Sequence, residues 1–184
     1  MNHHDMTRNM VLAALFAALT AIGAFLQIPT GTVPITLQFL FTALAGLLLG
    51  WKWGAVSQLL YVGIGLLGLP VFTQGGGIGY VLQPSFGFLL GLIPAAAVIG
   101  ALTARRTGYL TVLAAVLVGD LILYAVGVPY MYLILHVYMQ SAKTFPALLA
   151  AMLVYVPGDT LKIVVVTALV PVLRRTLAKA VPNL

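Results

Sequence analysis

The chain has 184 residues, of which 62% are hydrophobic and 7% charged, against an ordinary soluble mix of about 45–50% apolar and 25% charged. Nine Lys/Arg and three Asp/Glu cannot cover a surface facing water, so a water-soluble globule is excluded, and the length suits several bilayer crossings at roughly 20 residues each. The net charge of +6 is scattered between apolar runs, which points away from nucleic acid, and the absence of cysteine removes disulfides, thiolate nucleophiles and zinc–thiolate sites.

No charge occurs between Arg8 and Lys52, or between Lys52 and Arg105, and each gap is about twice what one helix needs to cross. Each gap is therefore predicted to hold a helical hairpin. The first breaks at Pro29-Thr30-Gly31-Thr32-Val33-Pro34, giving spans near 9–28 and 35–50. The second breaks across Pro70 to Pro84, giving spans near 54–69 and 85–103. A fifth span is expected near 108–127 and a sixth, slightly short, near 157–173. Residues 128–155 read as an outer loop carrying Lys143, followed by an apolar piece from Pro146 to Tyr155 able to form a short helix. Val156 precedes a proline, which disfavours α geometry, so a break is expected there.

The expected fold is all-α, one membrane domain of six transmembrane helices. Basic residues near span ends are retained on the cytoplasmic side. With both termini cytoplasmic, the inner segments carry Arg8, Lys52, Arg105, Arg106, Arg174, Arg175 and Lys179, and the outer loops carry Lys143 alone. The N-terminal apolar run is too long for a signal peptide and lacks a small-x-small cleavage site, so it counts as a span.

The Gly/Pro/aromatic-rich connections then all lie outside. The stretch from Pro70 to Pro84 contains Gly75, Gly76, Gly77 and Gly79, and at membrane depth its backbone polar groups need partners, so it must fold over protein or line a wet pocket. It is a lid, a pocket wall or a plain turn. In Pro157-Gly158-Asp159-Thr160-Leu161-Lys162 an acid and a base three residues apart share one helical face inside the bilayer. Such residues usually face a partner, a ligand or the bundle interior. With the helix starting at Pro157, Asp159 falls in its first turn, where the dipole favours an anion; a purely internal ion pair is the alternative. Asp120, in mid-span five, could neutralise Lys162, carry a proton or cap a polar network. His136 reads as a solvated or packed side chain, His3 and His4 as a disordered terminus, and no metal site has tenable spacing.

Small residues recur at Gly46 and Gly50, at Gly87 and Gly91, and in two adjacent rows of the first span, Ala13, Ala17, Ala21 and Ala14, Ala18. Such spacing lets helices approach closely; the glycine pairs suit packing within the bundle, while the alanine stripe could receive a helix of another chain. No Walker A, Gly-x-Ser-x-Gly or His-Glu-x-x-His sequence is present, so an enzyme is not expected.

Several segments in order carry a resemblance: Leu12 to Ala24, Ile28-Pro29, Val33-Pro34-Ile35-Thr36-Leu37-Gln38, Ala45-Gly46-Leu47-Leu48-Leu49-Gly50, Tyr61 through Gly68-Leu69-Pro70-Val71-Phe72, Gly75 to Tyr80, Pro84 through Gly87-Phe88-Leu89-Leu90-Gly91, and Pro157 to Lys162. Together they resemble the BioY family, biotin-binding substrate-capture (S) subunits of energy-coupling factor transporters. The resemblance implies a six-helix S-component bundle in the bacterial or archaeal cell membrane. Its outward-facing pocket would occlude biotin beneath the loop between the first and third helices and beneath the Gly-rich loop.

Asp159 and Lys162 match the family's acid and base and would bind the polar part of the vitamin: a ureido ring offers two N–H donors and one carbonyl. Tyr80 and Phe88 could wall the ring and aliphatic chain, with Gln38 and Tyr61 as further candidates. Lys143, Gln74 or the backbone of Gly75, Gly76 and Gly79 could meet the carboxylate. Ala14 and Ala18, with Ala13 and Ala17 in the adjacent row, would dock on the transmembrane coupling subunit, which connects to two ATPases. No cofactor is implied. A proton-coupled secondary carrier using Asp120 or Asp159, or an S subunit for riboflavin or thiamine, are the competing expectations.

Overall fold

The computed structural model describes residues 3–30, 33–105 and 108–180. Arg106, Gly31, Thr32 and the side chains of His3, His4, Arg174, Arg175 and Lys179 lie outside the described residues. Helix α1 (His3–Phe25) is followed by a two-stranded antiparallel hairpin, β1 (Gln27–Ile28) and β2 (Ile35–Thr36), in which Gln27 faces Thr36 and Ile28 faces Ile35. Then come α2 (Gln38–Leu66), α3 (Phe86–Leu102), α4 (Tyr109–Leu133), the short α5 (Phe145–Ala151) and α6 (Val156–Ala180). Among the described residues, four runs are long and apolar enough to cross a membrane: Asp5–Phe25, Gln38–Leu66, Tyr109–Tyr138 and Phe145–Leu173.

The run Gln38–Leu66 is two helices. Gly50 has φ 77° and ψ 179°, a left-handed backbone that glycine adopts without a Cβ clash. The chain reverses there. Thr42 donates to Gln58 Oε1 at 2.9 Å and Gln38 Nε2 to the Tyr61 hydroxyl at 2.8 Å, whereas residues 42 and 58 of a continuous helix would be about 24 Å apart. A helix is thus found at each of the six positions expected from the sequence, with shifted ends. The first stops at Phe25 and the second starts at Gln38, because residues 27–28 and 35–36 pair as strands between Pro29 and Pro34.

Three local expectations are corrected. Helix α1 already begins at His3, where a disordered terminus was expected. Val156 is in the α region (φ −51°, ψ −44°) despite preceding Pro157; the chain tightens into a 3-10 turn over Met152–Tyr155 and stays helical into α6. Tertiary packing outweighs the pre-proline bias here. Before it, α4 runs past Pro129 into a π turn, Ile134–Tyr138, so the expected loop begins later than residue 128. His136 on that turn is exposed and stacks on Tyr132 at 5.3 Å.

Neighbouring helices alternate in direction. Leu37 N donates to Gly23 O at 3.1 Å, and Gly100 backs onto Gly50 and Trp51. Gly91 faces Leu123 and Gly87 faces Tyr130, while Gly46 packs on Ala96 and Gly54. These glycines therefore serve packing within the bundle, apart from Gly50, which makes the turn. Lys52 and Arg105 consequently lie at one end of the bundle, and the hairpin, the 67–85 connection and Lys143 at the other. Side chains such as Ile99, Val116 and Val166 are fully buried between the helices, while Leu110, Leu121 and Leu161 are among the large apolar side chains exposed around them, as expected of a bundle whose outer surface meets hydrocarbon.

The 67–85 connection folds over the bundle. Gly77 N donates to Gly65 O at 2.7 Å, and Phe72 and Gly75 exchange backbone bonds of 2.9 and 3.2 Å. Gly75 and Gly77 have φ of 111° and 98°, which a side chain would oppose. Phe72 is thereby buried between the rings of Tyr61 (5.5 Å) and Tyr80 (4.6 Å).

Candidate functional site

At the end opposite Lys52, a partly open cleft lies between the hairpin and helices α2, α3, α4 and α6. Its walls are mostly apolar: Phe39, Phe88, Leu89, Leu92, Leu123 and Met152. Its polar groups are few and fixed. Asp159 and Lys162 project from the first two turns of α6, with Lys162 Nζ 2.6 Å from Asp159 Oδ1 and side chains only about one-tenth exposed. The Tyr124 hydroxyl of α4 donates to the other carboxylate oxygen, Asp159 Oδ2, and Lys162 Nζ also donates to the Thr36 carbonyl of β2 at 3.3 Å.

An ion held away from water is tolerated only when paired and hydrogen-bonded, and this acid has both oxygens engaged. Around the pair, Thr36 donates to Gln38 Oε1 at 2.9 Å, and Thr73 and Tyr80 share a hydroxyl bond of 2.9 Å. Tyr155 pins the hairpin from the α6 side by donating to Val33 O, which the Thr30 hydroxyl also reaches at 2.6 Å. Gln27 Nε2 reaches Thr73 O at 3.4 Å, so the hairpin and the 67–85 connection also touch each other. The site is thus a covered, apolar cleft with a carboxylate acceptor and an ammonium donor side by side, suited to a small solute with a compact polar head and an apolar body.

Of the residues singled out from sequence, Asp159, Lys162, Gln38, Tyr80 and Phe88 line the cleft. Tyr61 does not. It is buried behind Gln38, accepting from that amide and donating to Val71 O at 3.1 Å, so it supports the wall from behind. Gly75, Gly76 and Gly79 are not in the lining either; Gly75 shapes the Phe72 turn, and a Cβ on Gly76 would overlap the Leu69 carbonyl. The alanine rows of α1 separate: Ala14 and Ala18 are exposed, whereas Ala13 and Ala17 are buried and cannot meet another chain. Lys162 pairs with Asp159, not Asp120, whose Oδ1 is buried without a hydrogen-bond partner among the described residues.

Sequence reasoning missed Tyr124, Tyr155 and Thr36. The signal was present for the tyrosines: Tyr124 is four residues after Asp120 and Tyr155 four before Asp159, which places each beside an intramembrane acid on a helical face.

The model of the BioY family matches residues 1–179. The probable biotin transporter BioY of Lysinibacillus sphaericus is 54% identical over 141 residues, covering 76% of this chain and 72% of that protein. The biotin transporter BioY of Rhodobacter capsulatus is 41% identical over 188 residues, covering 97% of each. A crystal structure of the S-component for biotin from an ECF-type ABC transporter superposes with a TM-score of 0.82 at 29% identity, covering 95% of both chains. With sequence and fold alike matched over nearly the full length, this chain belongs to the BioY family.

Proposed function

We propose that this membrane-embedded chain is the biotin-capturing S component of an energy-coupling factor transporter. It takes biotin up as a transport subunit and is not an enzyme. The observation that carries the site is the buried Asp159–Lys162 pair facing an otherwise apolar cleft. Biotin's ureido N–H groups suit the carboxylate and its ureido carbonyl suits the ammonium, while Phe88 and the leucines pack on the fused rings and acyl chain. Tyr80 and Gln38 complete the wall, and the hairpin and the 67–85 connection cover the ligand.

The bundle is read as a single domain crossing the membrane six times. Segregation of Lys52 and Arg105 from Lys143 supports a cytoplasmic N-terminus and an outward-facing cleft. The exposed Ala14 and Ala18 provide a smooth stripe on which a coupling-subunit helix can lie, and ATP hydrolysis belongs to two ATPases attached to that subunit. Membrane lipid surrounds the remaining surface. The deciding experiment is purification in detergent followed by mass identification of the bound molecule and titration with biotin. Biotin recovered or bound supports the reading; riboflavin or thiamine in its place, or no biotin binding at micromolar ligand, overturns it.

A further inference from the structure

We propose that Lys143 forms an anion subsite at the mouth of the cleft and receives the carboxylate of the bound ligand; this rests on the biotin reading above. A second cavity adjoins the cleft. The two share Met152 and Tyr155, and the second reaches Thr30 of the hairpin and Lys143. Tyr155 lies four residues before Asp159, about 6 Å of helix rise. A ligand whose polar ring sits on Asp159 can therefore extend its acyl chain past Tyr155 toward Lys143.

Charge gives the second argument. The chain has three carboxylate side chains: Asp5 pairs with Arg8 at 3.6 Å, Asp159 with Lys162, and Asp120 lies mid-helix in α4. None is left for Lys143, which is exposed and makes no ion pair among the described residues. Lys162, the other cation at the cleft, is already held by Asp159 and the Thr36 carbonyl. The hydroxyls of Tyr155 and Thr30 both turn toward Val33 O, which leaves the ammonium as the anion's donor in the second cavity. Gln74 is exposed, and neither it nor Gly75, Gly76 or Gly79 lines either cavity.

The test compares biotin with biotin methyl ester by calorimetry on the purified full chain in detergent free of anionic lipid, for wild type, Lys143→Ala and Lys143→Arg. Wild type is expected to bind the ester about tenfold more weakly than the acid, as for loss of one charged hydrogen bond. Lys143→Ala should bind the acid about tenfold more weakly and the ester unchanged, so that the preference vanishes, while Lys143→Arg keeps it. A persisting acid-over-ester preference in Lys143→Ala overturns the assignment while leaving the biotin reading intact; that is also the outcome if Lys143 serves a lipid phosphate instead. Wild type binding neither compound overturns both.

Discussion

Neutralising the Asp159–Lys162 pair in two steps separates a structural ion pair from a ligand-binding one. The charges are 2.6 Å apart with side chains about one-tenth exposed, so removing one partner leaves the other buried and unpaired, at a cost of about 3–5 kcal/mol. Lys162→Met alone is therefore expected to lower the unfolding temperature markedly. Adding Asp159→Asn removes the remaining charge while keeping an oxygen for the Tyr124 hydroxyl, and stability should return to near wild type, as when a buried pair gives way to neutral groups. Binding should not return. A ureido ligand loses two charge-assisted hydrogen bonds at about 1.5 kcal/mol or more each, together about 3 kcal/mol or roughly a hundredfold in Kd. Thermal unfolding and biotin calorimetry on the same samples read both quantities. A double variant that is restored in stability and binds biotin within about threefold of wild type, a difference of roughly 0.6 kcal/mol, would refute the reasoning: the pair would then only hold α6 in place.

Tyr124→Phe deletes the hydroxyl on Asp159 Oδ2 without changing the ring packed edge-on against Phe88; biotin affinity should fall by about 1–2 kcal/mol, and an unchanged Kd would remove Tyr124 from the site. Replacing Ala14 and Ala18 by tryptophan on the exposed face of α1 should spare binding in detergent and stop uptake in cells; normal uptake would discard the docking stripe. Gly65→Ala places a methyl group in the Phe72 ring and should lower the unfolding temperature at a cost of about 1–3 kcal/mol; no change would mean that Phe72 does not anchor the 67–85 connection. Asp120→Asn should leave biotin binding within about twofold, below roughly 0.4 kcal/mol, and proteoliposomes lacking ATPases should accumulate no biotin with either protein. Accumulation lost in the variant would instead establish a proton-coupled carrier.

The features legible in the sequence were those set by solvent and chain punctuation. Charge-free gaps, the prolines at 29, 34 and 70 and glycine-rich turns located the helices and the open end of the bundle, because hydrocarbon tolerates neither stray charges nor unpaired backbone. The pair at Asp159 and Lys162 was legible for the same reason. Facing was not. Glycines near a ligand and glycines inside a tight turn have the same composition, so the sequence does not distinguish a ligand-facing Gly75, Gly76 or Gly79 from the observed placement, in which Gly75 closes the turn with Phe72, Gly76 packs on the Leu69 carbonyl and none of the three lines the cleft. Adjacent small-residue rows look alike until a neighbouring helix covers one of them, as the rest of the bundle does for Ala13 and Ala17. Tyr61 is a site candidate through the resemblance, yet its hydroxyl is spent on Gln38 and Val71. Thr36 enters the site through a backbone carbonyl, a group that every residue has and no sequence pattern marks.

The buried polar residues of α2 give the cleft a stiff floor. Gln38 lines the cleft, and its amide holds the Tyr61 hydroxyl. One turn deeper, the single Thr42 hydroxyl hydrogen is shared between Gln38 O and Gln58 Oε1, while Gln58 Nε2 reaches Thr20 on α1 at 3.3 Å and Ser57 at 3.0 Å. Thr20, Thr42, Ser57 and Gln58 are fully buried, so each broken bond would leave an unsatisfied group away from water, at a cost of about 1–3 kcal/mol. Apolar helix contacts can slide with small loss, whereas this ladder fixes the register of α1 against both limbs of the α2 hairpin. The same helix α1 presents Ala14 and Ala18 outward. A ligand-holding wall and the proposed docking face are therefore parts of one hydrogen-bonded unit, to which the hairpin is tied by the Thr36–Gln38 bond. The Tyr155 hydroxyl and the 3.3 Å contact from Lys162 to Thr36 in turn join α6 to the hairpin.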